Sequence, residues 1–544
     1  MNPLASNKLA RRLLMALAAI TSILLIPGCG SSGGTTKTNP VGFTNASLTG
    51  TYVFSSQGAD AAGYPLNVAG TFVANGTGGS GGITGGTIDV IDPFFDISPN
   101  TPPSPAAQSI TGGSYTVATD GRGQAVLTSA AYGSYVIDFV LTSTSHGLVT
   151  EFDSNGGGSG TLDLQPAVLS LSQLAGPYAF SFAGSDAAYN SFAAAGAFTL
   201  NSGGAIPAGA GIEDLNDNGN FASESLTGIA TAGSGTAPGS ITFPTTSFPN
   251  AVFDFYPIDA THWKMIETDY NDFLAGDVYT QTGATTIPTG PMAFTMAGVS
   301  SAGSVANGGY MTISGDGVSG TEDTNSNGSY LPQTTFNGTA GAAGAIGGRV
   351  VLNLSDFIPA STLVVYPSGG GLQMLEADSL GVTVGAAYAQ TNGATITASE
   401  PYGLNLSAFN IGNTQQEYEE DDIAQFTTNT SSGFTGALDI NDNYANGTSP
   451  VLNSGVALTG NYTVDSPATG RGEVTTTAGG NTYVGLNFYS VSTGQFLVLE
   501  TDSIQIGTGT FESQTVPGSQ GGVAQSRAAI VHSVVRPRGA LKRK

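Results

Sequence analysis

Trp263-Lys264-Met265-Ile266-Glu267-Thr268-Asp269 is one of four versions of the same segment in this chain. The others are Gly147-Leu148-Val149-Thr150-Glu151-Phe152-Asp153, Leu372-Gln373-Met374-Leu375-Glu376-Ala377-Asp378 and Phe496-Leu497-Val498-Leu499-Glu500-Thr501-Asp502. Their glutamates lie 116, 109 and 124 residues apart, and a Gly-rich stretch ending in Gln165, Gln281, Gln390 or Gln514 follows each. Upstream, Gly50-Thr51-Tyr52-Val53-Phe54 matches Gly176-Pro177-Tyr178-Ala179-Phe180 and Gly290-Pro291-Met292-Ala293-Phe294, with a drifted fourth copy at Glu400-Pro401-Tyr402-Gly403-Leu404. Self-similarity at a fixed period marks a repeat architecture. The chain therefore divides into four units of roughly 110 residues, at 46–165, 172–281, 288–390 and 394–514.

Each unit reads as all-β. In the fourth, about eight short alternating runs can be marked between turn signals such as Asn446-Gly447, Thr469-Gly470 and Gly479-Gly480. Thr482 to Phe488, a turn near Ser492-Thr493-Gly494, and Phe496 to Leu499 form a hairpin pattern that recurs at 252–269 and 363–378. Eight sequential strands with short connections predict an up-and-down barrel, in which closure protects the sheet edges. A two-sheet sandwich is the alternative. The Gly-x-Tyr-x-Phe opening followed by a meander is loosely similar to lipocalin-like and avidin-like barrels, a likeness of fold that implies no ligand. Two stretches break the pattern: Asp92 to Pro105, rich in proline, and the acidic run from Glu417 to Asp422.

Charged residues make up only 10% of the chain, and glycine alone supplies 79 of its 544 residues. All 39 acids lie between residues 45 and 515, where the only bases are Arg122, Lys264, Arg349 and Arg471, giving that span a formal charge of −35. Such a body repels phosphate backbones, which excludes nucleic-acid binding there. The segment 515–544 inverts the pattern, with six bases and no acid, and reads as a basic disordered tail.

The N-terminus carries Lys8, Arg11 and Arg12, then an apolar run from Leu13 to Ile26, too short for a stable membrane span. Ile26-Pro27-Gly28-Cys29 follows and resembles the lipobox of bacterial lipoprotein precursors, with Pro27 departing from the usual pattern. The resemblance implies removal of residues 1–28 as a signal peptide and attachment to a membrane through lipid on Cys29. Residues 29–45 would then serve as a flexible tether. Cys29 is the chain's only cysteine, so no disulfide forms within it. Gly30 and Ser31 in place of aspartate favour, by resemblance to known sorting patterns, an outer-membrane or cell-surface address over the inner membrane.

Two motifs carry candidate chemistry. In the repeated acidic pair, Glu151/Asp153, Glu267/Asp269, Glu376/Asp378 and Glu500/Asp502, side chains at i and i+2 of a strand share a face. They could bind a cation or exchange protons; alternatively each pair ends a strand and bonds turn amides, a role that four copies favour. The second motif is Asp214-x-Asn216-x-Asn218, echoed by Asp323-x-Asn325-x-Asn327 and Asp439-x-Asn441-x-Asn443, with only Asp89-Val90-Ile91-Asp92 in the first unit. It resembles the start of an EF-hand calcium loop, but its twelfth position is Ser225, Thr334 or Pro450 where glutamate is needed. The competing reading is turn chemistry by Asp and Asn. Gly78-Gly79-Ser80-Gly81-Gly82 matches a nucleophile elbow only inside a Gly-rich run, and outside the tail the histidines are His146 and His262, read as turn residues. Trp263 beside Lys264 reads as a surface pair.

Together these features point to a lipid-anchored, envelope-exposed, non-catalytic repeat protein for binding, adhesion or envelope structure. It would need no cofactor, calcium being the one metal its motifs suggest, and its ligand is unknown. The alternative is small apolar or carbohydrate ligands inside the barrels, lined by residues such as Tyr52, Phe54, Phe72, Tyr178 and Phe180. A hydrolase is the least supported reading.

Overall fold

The computed structural model describes residues 42–517, apart from 78, 80, 94–106, 246–248, 282–286, 392, 412–417, 444–450 and 467–468. The expected signal peptide, Cys29 and most of the basic segment 515–544 lie outside the described residues, as do Ser80, Glu417 and most of the Pro-rich stretch.

Each unit is a barrel of sequential antiparallel strands. The first runs from Thr49–Asp60 to Gly156–Gln165, the third from Gly290–Ser300 to Gly381–Ala389, and the fourth from Pro401–Asn410 to Gln505–Ser513. In each of these three, eight strands pair in sequence order and the last pairs with the first. The second unit, Gly176–Asp186 to Asp272–Thr280, has the same plan with its third and fourth strands each broken in two. Ala205–Ile206 pairs with Gly228–Thr231 and Gly211–Asp217 with Asn220–Ser225, and a bond from Leu226 N to Gly211 O (3.1 Å) joins the two ladders.

The strand period of two splits each barrel into an inner and an outer face. Tyr52 and Phe54 point inward and are fully buried, while Val53 between them packs outward. The opening aromatic of the repeat lies over a glycine on the neighbouring strand: Phe54 opposite Gly70, Phe180 opposite Gly196, Phe294 opposite Gly309. A Cβ at Gly196 would sit 2.5 Å from the Phe180 ring, so glycine is what lets the ring lie flat. In the drifted fourth copy the pair is Leu404 opposite Ala424.

The outer faces pack barrel against barrel. Val53, Ala69 and Ile91 of the first meet Tyr256, Ile258 and Ile266 of the second. Ala193, Ala195 and Ala197 of the second meet Val364 and Tyr366 of the third. Ala293 and Ala386 of the third meet Tyr489 and Leu497 of the fourth. Ile423 of the fourth then returns to Val140 and Leu148 of the first. The four barrels thus form a closed ring. Among the described residues, no helix is long and apolar enough to cross a membrane.

Candidate functional site

The repeated motifs meet at the four junctions. The first residue of the Asp-x-Asn motif points outward and receives a tyrosine hydroxyl from the next barrel: Tyr256 to Asp89 (2.5 Å), Tyr366 to Asp214, and Tyr489 to Asp323 (2.6 Å). At two junctions an arginine of that next barrel adds a fork. Arg349 holds Asp214 at 2.6 and 2.8 Å, and Arg471 holds Asp323 at 2.7 and 3.0 Å. Burial opposes ionisation of Asp323, but the Arg471 and Tyr489 bonds outweigh it and hold the carboxyl below its usual range.

The second motif residue is an amide donor to the next barrel. Asn216 Nδ2 donates to Glu376 O (2.9 Å) and Gly381 O (3.0 Å), and Asn325 Nδ2 to Glu500 O, Asp502 O and Gln505 O at 3.1, 2.9 and 2.9 Å. Asn441 Nδ2 donates to Glu151 O and Gly156 O, both at 2.8 Å, across the closing junction. In the first barrel Ile91 takes this position and packs against the second. The third residue has turn geometry: Asn218 and Gly219 both have positive φ, as do Asn327 and Gly328, the signature of a two-residue type I′ hairpin. Asn443 instead reaches Ala59 O at 3.2 Å. The alternation that suggested oxygens converging on an ion thus places these side chains along a barrel–barrel contact.

The acidic pairs receive those amides and close the hairpins. Asp153, Asp269, Asp378 and Asp502 accept from the turn amides Asn155 N (2.8 Å), Asn271 N (2.8 Å), Leu380 N (2.9 Å) and Ile504 N (2.9 Å). Glu151, Glu267, Glu376 and Glu500 are fully buried at the ends of their strands. Burial first, and the neighbouring aspartate second for all but Glu376, raises these glutamates well above the usual range. Glu376, which Thr383 partly compensates, reaches about 8. Among the described residues, no three His, Cys, Asp or Glu side chains are grouped so as to hold a metal ion.

The glutamine ending each unit makes the same contact four times. Gln165 donates to Pro257 O (2.6 Å), Gln281 to Pro367 O (2.9 Å), Gln390 to Ser490 O (2.8 Å) and Gln514 to Leu141 O (2.7 Å). These four carbonyls occupy equivalent register positions, each one residue after the position that holds the junction tyrosine in three barrels.

Two residues before the glutamines stand Asp163, Tyr279, Tyr388 and Glu512, all nearly buried. His146 lies 2.7 Å from Asp163 and 3.2 Å from Glu512, joining the first barrel to the fourth. Burial opposes its protonation, yet the two carboxylates carry its pKa to about 10, a fixed cation and not a free base. His262 and Lys264 bind Asp277 at 2.6 and 2.7 Å. The histidines are therefore strand-end partners of buried carboxyls, not turn residues. Lys264 is 3% exposed and Trp263 fully buried in the second barrel, so the expected surface pair is interior: the strand turns the ring inward and the ammonium toward Asp277.

The interiors of the first three barrels are packed with buried apolar side chains. Tyr52 stacks on Phe72 at 5.9 Å, Phe180 on Phe182 at 4.7 Å, and Tyr178 sits 4.4 Å from Trp263. The fourth barrel encloses an apolar cavity of about 30 Å³ lined by Leu404, Phe426, Leu438, Leu458, Val484 and Leu486. That is room for a water-sized guest, and it lies where the Phe–Gly pair has become Leu404–Ala424.

Sequence reasoning found the motifs but not their partners. Tyr256, Tyr366 and Tyr489 repeat at fixed register, and that periodicity was the available signal.

No protein-family model matches the chain, and no curated protein matches it. Among solved structures, intact Ap-TbpB with its N and C lobes aligns over 90% of this chain and 99% of its own at 9% identity, with a TM-score of 0.19. A mutant of the vaccine antigen Transferrin Binding Protein B from Haemophilus parasuis Hp5 gives the same coverage, identity and TM-score. A superposition that loose carries no functional argument. The class of protein is set by the chain itself: an all-β ring of four eight-stranded barrels.

Proposed function

We propose that this chain is an exported lipoprotein whose body is a non-catalytic ring platform, held at the envelope by lipid on Cys29 and presenting its hairpin loops to an extracellular or periplasmic ligand. The observation that carries this reading is the use of the repeated polar motifs: Asp, Asn, Gln and Tyr side chains are spent on joining barrels. The filled interiors of the first three barrels leave the loops as the surface free to vary. Metabolic labelling with palmitate tests the anchor. The wild type takes up label and sediments with membranes, and Cys29→Ser loses both; a labelled Cys29→Ser protein overturns the anchor.

The platform works without bound metal on this reading, because Asn216, Asn325 and Asn441 present amide donors to carbonyls. Millimolar calcium is expected to leave the thermal midpoint unchanged; a clear rise would restore calcium sites to the Asp-x-Asn turns. A second reading, a small apolar guest in the fourth barrel, is favoured by its cavity alone. It expects a single-atom apolar guest such as xenon under pressure to raise the midpoint.

A further inference from the structure

The four junctions are built to one plan, and the one that closes the ring departs from it. Three join consecutive barrels and bury eight, eleven and ten apolar residues, whereas the seam between fourth and first buries three, among the described residues. At the seam Val140 replaces the junction tyrosine, so Asp439 receives no hydroxyl there and accepts from Gly455 N (2.5 Å) of its own barrel. No arginine fork reaches it: Arg122 pairs with Asp120 at 3.0 Å.

Carboxyls take the place of those partners. From the first barrel Asp138, 3% exposed, faces Asp439 and is bonded by Gln124 at 2.8 Å. From the fourth, Asp421, fully buried, accepts from Ser159 of the first barrel at 2.7 Å, with Glu419, Glu420 and Asp422 around it. A Cβ on Gly157 would lie 2.8 Å from Asp421 Oδ2, so the first barrel's backbone presses on this carboxyl. Glu151, inside the first barrel, also faces Asp421. The cations in reach are Arg122, beside Asp138, and His146, at the axial edge between Asp163 and Glu512.

We propose that the seam between the first and fourth barrels is a proton-dependent latch: closed while its buried carboxyls carry protons, and opening as they ionise, so that the ring parts at this contact while the first barrel stays packed on the second. Ionised carboxylates facing one another in a water-poor contact repel, and the seam has little apolar surface to offset that. Burial chiefly, with Asp439 next, raises Asp138 to about 8, and burial with Glu419 raises Asp421 well above the usual range. A raised folded-state value means the contact is stable at low pH and is lost as pH rises through that value. The second and third junctions carry Arg–Asp forks where the seam has facing carboxyls. The His146 bridge keeps its proton up to about 10, so it contributes nothing to the loss between pH 6 and pH 9.

Equivalent main-chain bonds report on the seam and on a control. Thr515 N bonds Thr142 O across the seam at 2.7 Å, and Thr391 N bonds Val491 O across the third junction at 2.8 Å. Residue-resolved hydrogen exchange on the full chain, corrected for intrinsic rates, compares them between pH 6 and pH 9. Protection at Thr515 is expected to fall about a hundredfold, roughly tenfold per pH unit from 6 up to the value near 8 and little beyond it, while Thr391 holds. The double variant Asp138→Asn, Asp421→Asn is expected to keep Thr515 protected at pH 9. Equal loss at both amides, or none at Thr515, overturns the latch, and the wild-type comparison decides even if the variant folds poorly.

Discussion

Asn325 donates to three main-chain carbonyls of a barrel more than 170 residues further along the chain. The residue is fully buried, and its carbonyl partners have no water to turn to. Replacing it by alanine leaves them without that donor, at about 1 kcal/mol each in net terms. Asn325→Ala is therefore expected to lower stability by about 2–3 kcal/mol, read as a shift of the urea midpoint. Asn327→Gly, one turn position away, serves as the control: its φ of 49° is one glycine adopts freely, so it changes stability little. If both substitutions cost the same, the amide latch is not what Asn325 contributes. The paired behaviour separates two roles that the motif's spacing alone could not, because turn-former and cross-barrel donor are the same residue type.

A barrel's strand count and its inward-facing side chains were legible in the sequence because both follow from local rules. Alternation sets which side chains face in, and Asn-Gly or Gly-Gly pairs set where the chain reverses. The drift of Gly-x-Tyr-x-Phe to Glu-Pro-Tyr-Gly-Leu at 400–404 was visible too, but not its consequence. Only the register shows that Leu404 faces Ala424, and that the smaller side chain leaves the fourth barrel with a void. Filling it is a prediction about the whole barrel, since every strand contributes to the wall. Val484 is 2% exposed and lines the cavity. Val484→Leu adds one methylene to a space of about 30 Å³, and at about 24 cal/mol per Å³ of void the gain is at most about 0.7 kcal/mol. A rise in the thermal midpoint is the expected outcome; a fall would mean the wall cannot accept even one carbon and the space is not a true void.

The ring itself was not legible, because its closing contacts, such as Gln514 with Leu141, join residues almost four hundred positions apart. The repeated glutamine looked like punctuation until its carbonyl partner in the next barrel was placed. The same assembly changes the meaning of the charge. A formal −35 over residues 45–515 reads as an acidic surface, yet Glu213, Glu322, Asp323, Glu376, Asp421 and Asp422 are all buried. Glu213, Glu322 and Glu376 each reach about 8, burial being the largest cause in every case. Their folded-state values lie above those of the unfolded chain, so the stability linked to them is complete below the ordinary carboxylate range and is lost as pH rises through 8. Asp323 and Asp378 are shifted the other way, and the stability they carry is lost only in acid below that range. Stability is therefore highest near the ordinary carboxylate range and falls from there toward 8. Thermal unfolding should show a higher midpoint at pH 6 than at pH 9, each raised glutamate costing about 1.4 kcal/mol per pH unit between the unfolded chain's value and its own, with no further loss above it. Glu322→Gln tests the assignment: glutamine keeps the acceptor for Ile358 N and carries no charge, so the variant should lose less between pH 6 and 8 than the wild type. A midpoint that stays flat from 6 to 9 would mean the buried glutamates ionise without strain, and the acids would return to being a solvated surface.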